Sequence, residues 1–280
     1  MAEFEIQKIH DTVWVFKNAI KDSEYILEYL KNNKTWGGWY TFGTMAEGSE
    51  NSYGFNEFPT QEQWEEKINE FYPDAVSKED PGYVEKTIDN LFYETTKRYL
   101  EENPITISEW SYSPWNIAKY EPSTNKEYAM HHHTDFQREL LYAPGLKFAI
   151  TAVFYLNDNY DGGEVEFRFM KDETLTTILE DYSYKPTQGD IVVFLSGHPH
   201  YHGVRTVTSG EKYIIRTYWR YRQEAHPRWI EMQNIYGDAW EEMEKKRTKF
   251  AHSTHQIINN IPKFMDFEEY YEKLQSGELS

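Results

Sequence analysis

Apolar residues recur along this chain with two different periods, and the change of period divides it. Between residues 61 and 102 the spacing is helical. Gln61–Phe71 and Tyr83–Glu102 each read as an amphipathic helix, the second carrying Val84, Ile88, Leu91, Phe92, Thr95 and Tyr99 at helical spacing. Such stripes pack on a sheet. Upstream, Val13-Trp14-Val15-Phe16 reads as a strand, and Lys21-Asp22-Ser23-Glu24 as a cap opening a helix that runs through Lys31. Segment 36–59, with five glycines among aromatic residues, is expected to be a loop of the kind that can cover a substrate.

In the second half the apolar runs become short and rich in β-branched and aromatic residues. Residues 147–156 form one such run and stop at Asn157-Asp158-Asn159. Asp161-Gly162-Gly163 predicts a tight turn, because glycine tolerates positive φ, and 164–170 reads as the returning strand. Residues 186–190 have turn chemistry, 191–195 read as a buried strand, and 204–207 with 212–219 form a final pair across Thr208-Ser209-Gly210-Glu211. Helical segments return around 239–250 and 266–274. The prediction is a mainly β core with flanking helices, α+β in class, its short strands building a sandwich or barrel. An N-terminal strand and helices are expected over 1–110, the β core over 111–225 and a C-terminal helical extension over 226–280, all within one integrated domain.

Composition narrows the setting. At 280 residues and 39% hydrophobic content the chain can bury a sizeable core. No apolar run approaches the roughly 18 residues of a membrane span, and Met1-Ala2-Glu3-Phe4-Glu5 lacks the basic start of a secretion signal. With no cysteine, a cytoplasmic protein is expected. A net charge of -18 argues against nucleic acid as partner, since phosphate binding rests on Lys and Arg. One stretch runs the other way: Arg205, Lys212, Arg216, Arg220, Arg222 and Arg228 face only Glu211 and Glu224. Solvated strand-edge cations are the plain explanation. The sharper one is that Arg220 and Arg222, with Arg168 and Arg138, attract an anionic substrate.

Candidate chemistry sits between these strands. In extended backbone, residues i and i+2 point the same way, so His133 and Asp135 can face one metal ion while Thr134 faces away. A third donor must come from another strand, and His202 in His202-Gly203-Val204 meets that need. Two imidazoles and one carboxylate leave half of an octahedron open, which suits iron that binds both a co-substrate and O2. His131 and His132 lack a carboxylate two residues on. His198 and His200 read as solvent-exposed turn histidines beside His202.

Seven short pieces then fall in order: Ala118-Lys119-Tyr120, His133-Thr134-Asp135, Phe154-Tyr155-Leu156-Asn157, Gly162-Gly163-Glu164, Gly189-Asp190, His202-Gly203-Val204 and Gly210-Glu211-Lys212-Tyr213. Together, from 115 to about 221, they resemble the double-stranded β-helix (jelly-roll, cupin-like) core of the Fe(II)/2-oxoglutarate-dependent dioxygenases, in particular the prolyl 4-hydroxylase-like branch. The resemblance implies Fe(II), 2-oxoglutarate and O2 as cofactors, with ascorbate as a candidate reductant. It implies His133, Asp135 and His202 as iron ligands. Lys212 would pair with the distal carboxylate of 2-oxoglutarate, with Arg216 on the same strand face as its rival and Tyr155 and Tyr120 alongside. Relatives that halogenate carry Gly or Ala at the carboxylate position, so Asp135 implies hydroxylation, with release of succinate and CO2. The substrate stays open between a prolyl residue, a free amino acid, a nucleoside and another small molecule. The alternative is a cupin-like metal-binding protein or metalloenzyme without 2-oxoglutarate, which would have no need of a buried Lys212.

Overall fold

The computed structural model describes residues 3–39, 43–48, 53–107, 109–135, 146–170, 178–197 and 199–222, and the single residues 234 and 276. The helices expected at 239–250 and 266–274 lie outside the described residues. In chain order the elements are β1 (Glu5–His10), β2 (Val13–Lys17), α1 (Ser23–Asn33), β3 (Gly37–Trp39), β4 (Gly43–Glu47), β5 (Tyr53–Phe55), α2 (Gln61–Phe71) and α3 (Tyr83–Glu102). There follow β6 (Trp110–Tyr112), β7 (Asn116–Tyr120), β8 (Tyr128–His133), β9 (Leu146–Tyr155), β10 (Asp161–Gly162), β11 (Val165–Met170) and β12 (Ile178–Tyr184). The last are β13 (Ile191–Leu195), β14 (His200–Arg205), β15 (Val207–Ser209) and β16 (Lys212–Arg222).

The larger sheet runs β1-β2-β13-β9-β16-β7-β4-β3, and the smaller runs β12-β11-β14-β8. From β7 onward the chain passes back and forth between them. β7, β9, β13 and β16 fill the middle of the large sheet, while β8, β11, β12 and β14 make the small one. This eight-strand alternation is the topology of a double-stranded β-helix. Side chains of both sheets meet in one apolar cluster, with Ala118, Tyr155, Phe194 and Ile214 from the large sheet and Val165, Phe167 and Val204 from the small. The other face of the large sheet is covered by helices, where Trp64, Phe92 and Tyr99 meet Val193, Ile215 and Trp219. The continuous apolar run of β13 follows directly: Val192 faces one core and Val193 the other. No described helix is long and apolar enough to cross a membrane.

Both long helices occupy their predicted residues. α2 is opened by a capping box in which Thr60 and Gln63 exchange side-chain and backbone contacts. α1 starts where expected, yet Asp22 makes no side-chain cap bond. Its carboxylate instead pairs with Lys78 Nζ at 2.6 Å. The described part of 36–59 forms three short strands, with β4 pairing along β7 and extending the sheet. Glycine makes that pairing possible, since Gly43 has φ +127° and a Cβ there would lie 2.1 Å from the Lys119 carbonyl oxygen.

The two hairpins expected in the second half are crossovers. β11 does not return beside β9 but pairs with β12 and β14, and β16 pairs with β9, β7 and β6 while β14 stays in the small sheet. Local pattern identifies strands, whereas burial on both faces decides their neighbours. At Gly162, φ +70° lets the backbone approach Thr206, whose carbonyl oxygen would be 2.2 Å from any Cβ.

One buried polar cluster fixes α3 to the sheet. Asp89, fully buried, accepts hydrogen bonds from Tyr112 Oη, Trp115 Nε1 at 2.9 Å and Tyr72 Oη at 3.2 Å. The Asp89→Ala variant strands three buried donors and is expected to lose about 3 to 5 kcal/mol of stability, against about 1 kcal/mol for Tyr72→Phe. Urea unfolding of both variants measures the difference. Similar small losses in the two would contradict a shared anchoring role.

Candidate metal centre

Register does most of the positioning. On β8 and β14, His133 lies directly opposite His202, which brings the two rings to 4.5 Å between centroids. Asp135 follows two residues after the end of β8 and is buried, at 2% exposure. Its Oδ1 lies 3.5 Å from His133 Nε2 and its Oδ2 lies 3.5 Å from His202 Nε2. One donor atom from each residue falls within 4.8 Å of the others.

The surroundings prepare these atoms for a cation. His133 Nδ1 donates to the His131 carbonyl at 2.8 Å, and His202 Nδ1 points at the His200 carbonyl at 3.5 Å. A proton held on Nδ1 leaves the lone pair on Nε2. His133 Nε2 is buried and makes no hydrogen bond among the described residues. Asp135 Oδ2 accepts from Thr151 Oγ1 at 2.9 Å, and Thr151 Oγ1 is 2.8 Å from Ser196 Oγ. A buried nitrogen lone pair facing a buried, braced carboxylate is what a dication requires. The donor set therefore fits Fe(II).

His200, expected in an exposed turn, is buried on β14. Its Nδ1 donates to the Gly197 carbonyl at 3.2 Å and its Nε2 meets Thr12 Oγ1 at 2.6 Å, so both nitrogens are engaged elsewhere. His198 lies outside the described residues. A second cluster, His132 with Glu166 and Asp181, sits behind the small sheet. Arg205 Nε holds Glu166 at 2.5 Å and Arg168 Nε holds Asp181 at 3.1 Å. Burial and Arg168 push the His132 imidazole down to about 3. These carboxylates already have their cations, so the cluster reads as an ion-pair network.

The metal-type donors open onto a cavity between the sheets. Along β16 the residues lining it are Lys212, Ile214, Arg216 and Tyr218. Lys212 is 1% exposed, and its Nζ donates to the Gly163 carbonyl at 2.6 Å and lies 5.0, 5.3 and 5.8 Å from the ring centres of Tyr155, Tyr120 and Tyr160. Burial, reinforced by nearby Lys185, pulls its ammonium down to about 7. Burial also raises the Tyr155 hydroxyl well above the usual tyrosine range. Arg216 is half-buried, its Nε donating to Asn116 Oδ1 at 2.6 Å. Arg168 and Arg220 are not among the cavity residues: Arg168 is paired with Asp181, and Arg220 donates to the Tyr112 carbonyl at 3.3 Å. The side chain of Arg222 and all of Arg138 lie outside the described residues. Thr151 and Ser196 escaped the sequence reading, although a threonine inside the apolar run 147–156 was a usable signal.

Two histidines and one carboxylate closing on a point are a donor set that suits a mononuclear non-haem iron centre. The 2OG-Fe(II) oxygenase superfamily profile matches residues 115–220, which span both β8 and β14. Among curated proteins the chain is similar to prolyl 3-hydroxylase 2 of Mus musculus, 33% identical over 88 residues, and of Homo sapiens, 32% identical over 88 residues. Each match covers 31% of this chain and 11% of the relative, so the chain spans a small part of those proteins. Among solved structures, a Pseudomonas putida prolyl-4-hydroxylase aligns at 15% identity and TM-score 0.41, covering 76% of this chain and 94% of that one. The viral collagen prolyl hydroxylase of Paramecium Bursaria Chlorella virus-1 aligns at 20% identity and TM-score 0.36, covering 63% and 97%.

Proposed function

We propose that this protein is an Fe(II)- and 2-oxoglutarate-dependent hydroxylase in which His133, Asp135 and His202 hold the metal and Lys212 receives the distal carboxylate of 2-oxoglutarate. The observation that carries this reading is one cavity holding both a buried His-Asp-His set and a buried lysine. Lysine is seldom fully buried without a partner, and a dianionic co-substrate supplies one. Bound iron, with 2-oxoglutarate and O2, supplies the oxidising chemistry, releasing succinate and CO2 as one oxygen atom enters the substrate.

The residues of the chain contribute placement. Carbonyls of His131 and His200 face Nδ1 of the two imidazoles and so aim Nε2 inward. Thr151 and Ser196 hold the Asp135 carboxylate in position. Tyr120 and Tyr155 wall the Lys212 end, where low exposure to water strengthens the ion pair. Phe194, 4.7 Å from the His202 ring, and Phe167 on the facing sheet exclude water from the imidazoles. Prolyl residues are one substrate class this scaffold would serve, given the named relatives, and free amino acids and nucleosides are others.

Anaerobic addition of 2-oxoglutarate to the Fe(II)-loaded protein is expected to produce a weak visible charge-transfer band, and air is expected to release succinate with a matching loss of 2-oxoglutarate. A protein that binds Fe(II) yet shows neither band nor succinate is a metal-binding protein of another kind.

A further inference from the structure

A buried hydroxyl stands without a partner at the Lys212 end of the site. Tyr160 is 5% exposed, and its Oη, sealed from solvent, makes no hydrogen bond among the described residues. A hydroxyl gives up its bonds to water when it is buried, so an orphan of this kind costs stability and calls for a reason. We infer that Tyr160 is a co-substrate-binding residue whose hydroxyl donates to the distal carboxylate of 2-oxoglutarate beside Lys212. This rests on the 2-oxoglutarate reading above.

Tyr160 lies in the turn between β9 and β10, and its ring centre is 5.8 Å from Lys212 Nζ, close to the 5.0 and 5.3 Å of Tyr155 and Tyr120. The hydroxyl-bearing end of the ring runs alongside the lysine stem. A Cβ built on Gly163 would lie 3.0 Å from Tyr160 Cε2 and 3.3 Å from Lys212 Cδ, so glycine, at φ +68°, leaves room for both. The buried acid nearby is already engaged: Asp190 accepts from Tyr184 at 2.6 Å, from Lys17 at 2.7 Å and from the Thr187 hydroxyl at 2.9 Å. Burial, then Asp158, Glu164 and Asp190, raise the Tyr160 hydroxyl above the usual tyrosine range, so it stays protonated and can donate.

The ring is also fixed in advance. Lys185 Nζ stands 3.9 Å from its centre and donates to the Tyr160 carbonyl at 3.1 Å and to the Gly162 carbonyl. A donor held in place before the ligand arrives adds affinity without an ordering cost. The arriving group has use for it. Lys212 already spends one N–H on the Gly163 carbonyl at 2.6 Å, and a carboxylate offers two oxygens with about four lone-pair sites, more than one ammonium fills.

The test uses the full chain, loaded anaerobically with Fe(II) and titrated calorimetrically with 2-oxoglutarate and, separately, with oxalate, a chelator that has no arm to reach Lys212. Tyr160→Phe should weaken 2-oxoglutarate about tenfold, the scale of one hydrogen bond to a charged group, and move oxalate less than about twofold. Because the hydroxyl has no bond to lose in the ligand-free fold, the urea midpoint of the ligand-free variant should be unchanged or higher. Unchanged 2-oxoglutarate affinity, an equal loss for oxalate, or a destabilised ligand-free variant would each overturn the inference. Lys212→Met separates it from the reading beneath it. If that variant loses 2-oxoglutarate affinity and Tyr160→Phe does not, only the role of Tyr160 fails. Wild-type protein that takes up Fe(II) and oxalate but not 2-oxoglutarate overturns both readings before any variant is made.

Discussion

Asp135→Ala is expected to lower 2-oxoglutarate turnover by at least about a thousandfold, the loss of several kcal/mol of metal-dependent stabilisation. The carboxylate lies within 3.5 Å of both imidazole Nε2 atoms, so its removal leaves two neutral donors to hold a dication. Thr151→Val is the graded counterpart. It keeps the volume and the three donors but deletes the hydroxyl that braces Asp135 Oδ2, and a loss of about 10- to 100-fold in metal affinity is expected. Titration of Fe(II) into each variant under anaerobic conditions, followed by succinate measurement, checks both. If Asp135→Ala kept near-wild-type metal affinity, the donor set would be wrongly assigned.

The second large effect belongs to Lys212. Lys212→Met removes the cation proposed to meet the distal carboxylate, and 2-oxoglutarate affinity is expected to fall about 100-fold or more, the cost of leaving a buried charge unpaired. The pH dependence has a definite sign. Burial lowers the ammonium to about 7 in the ligand-free fold, against the ordinary lysine value of about 10.4 in the unfolded chain. Between those two values the unfolded chain binds more protons, so this residue lets stability rise with pH across that window and costs most below about 7. An arriving carboxylate favours the charged form. At pH 8 binding is therefore expected to take up protons and to weaken as pH rises further. Calorimetry in buffers of different ionisation heat measures this uptake. Lys212→Met should abolish it, and Lys212→Arg should bind without it, because arginine stays charged throughout.

Much of this site was legible in the chain itself, for reasons that can be traced. Strand alternation distinguished His133 from His132, and the structure places His132 with Glu166 behind the sheet. The offset from His202 to Lys212 came from the family resemblance, and both residues line one cavity. Both helices could be read because helical period and capping are local properties, as Thr60 and Gln63 illustrate. Partner choice is not local. Nothing in residues 161–170 states that β11 crosses to the other sheet, since that depends on Thr206 lying against Gly162. β12 was missed for a related reason: it is a largely exposed edge strand in which only Tyr182 and Tyr184 alternate with polar residues. His200 looked like a turn residue because its partner, Thr12, is distant in sequence.

The opposition of His133 and His202 also bears on the order in which the chain folds. Their strands are separated in the chain by β9 to β13, and β2, near the N-terminus, pairs with β13. Ordering long loops costs entropy before the contacts that reward it exist, so these pairings form slowly and late. A slip of one residue between β8 and β14 would turn one imidazole to the opposite face. The site is thus complete only in the correctly threaded chain, and an ion that needs all three donors favours that register over its neighbours during refolding.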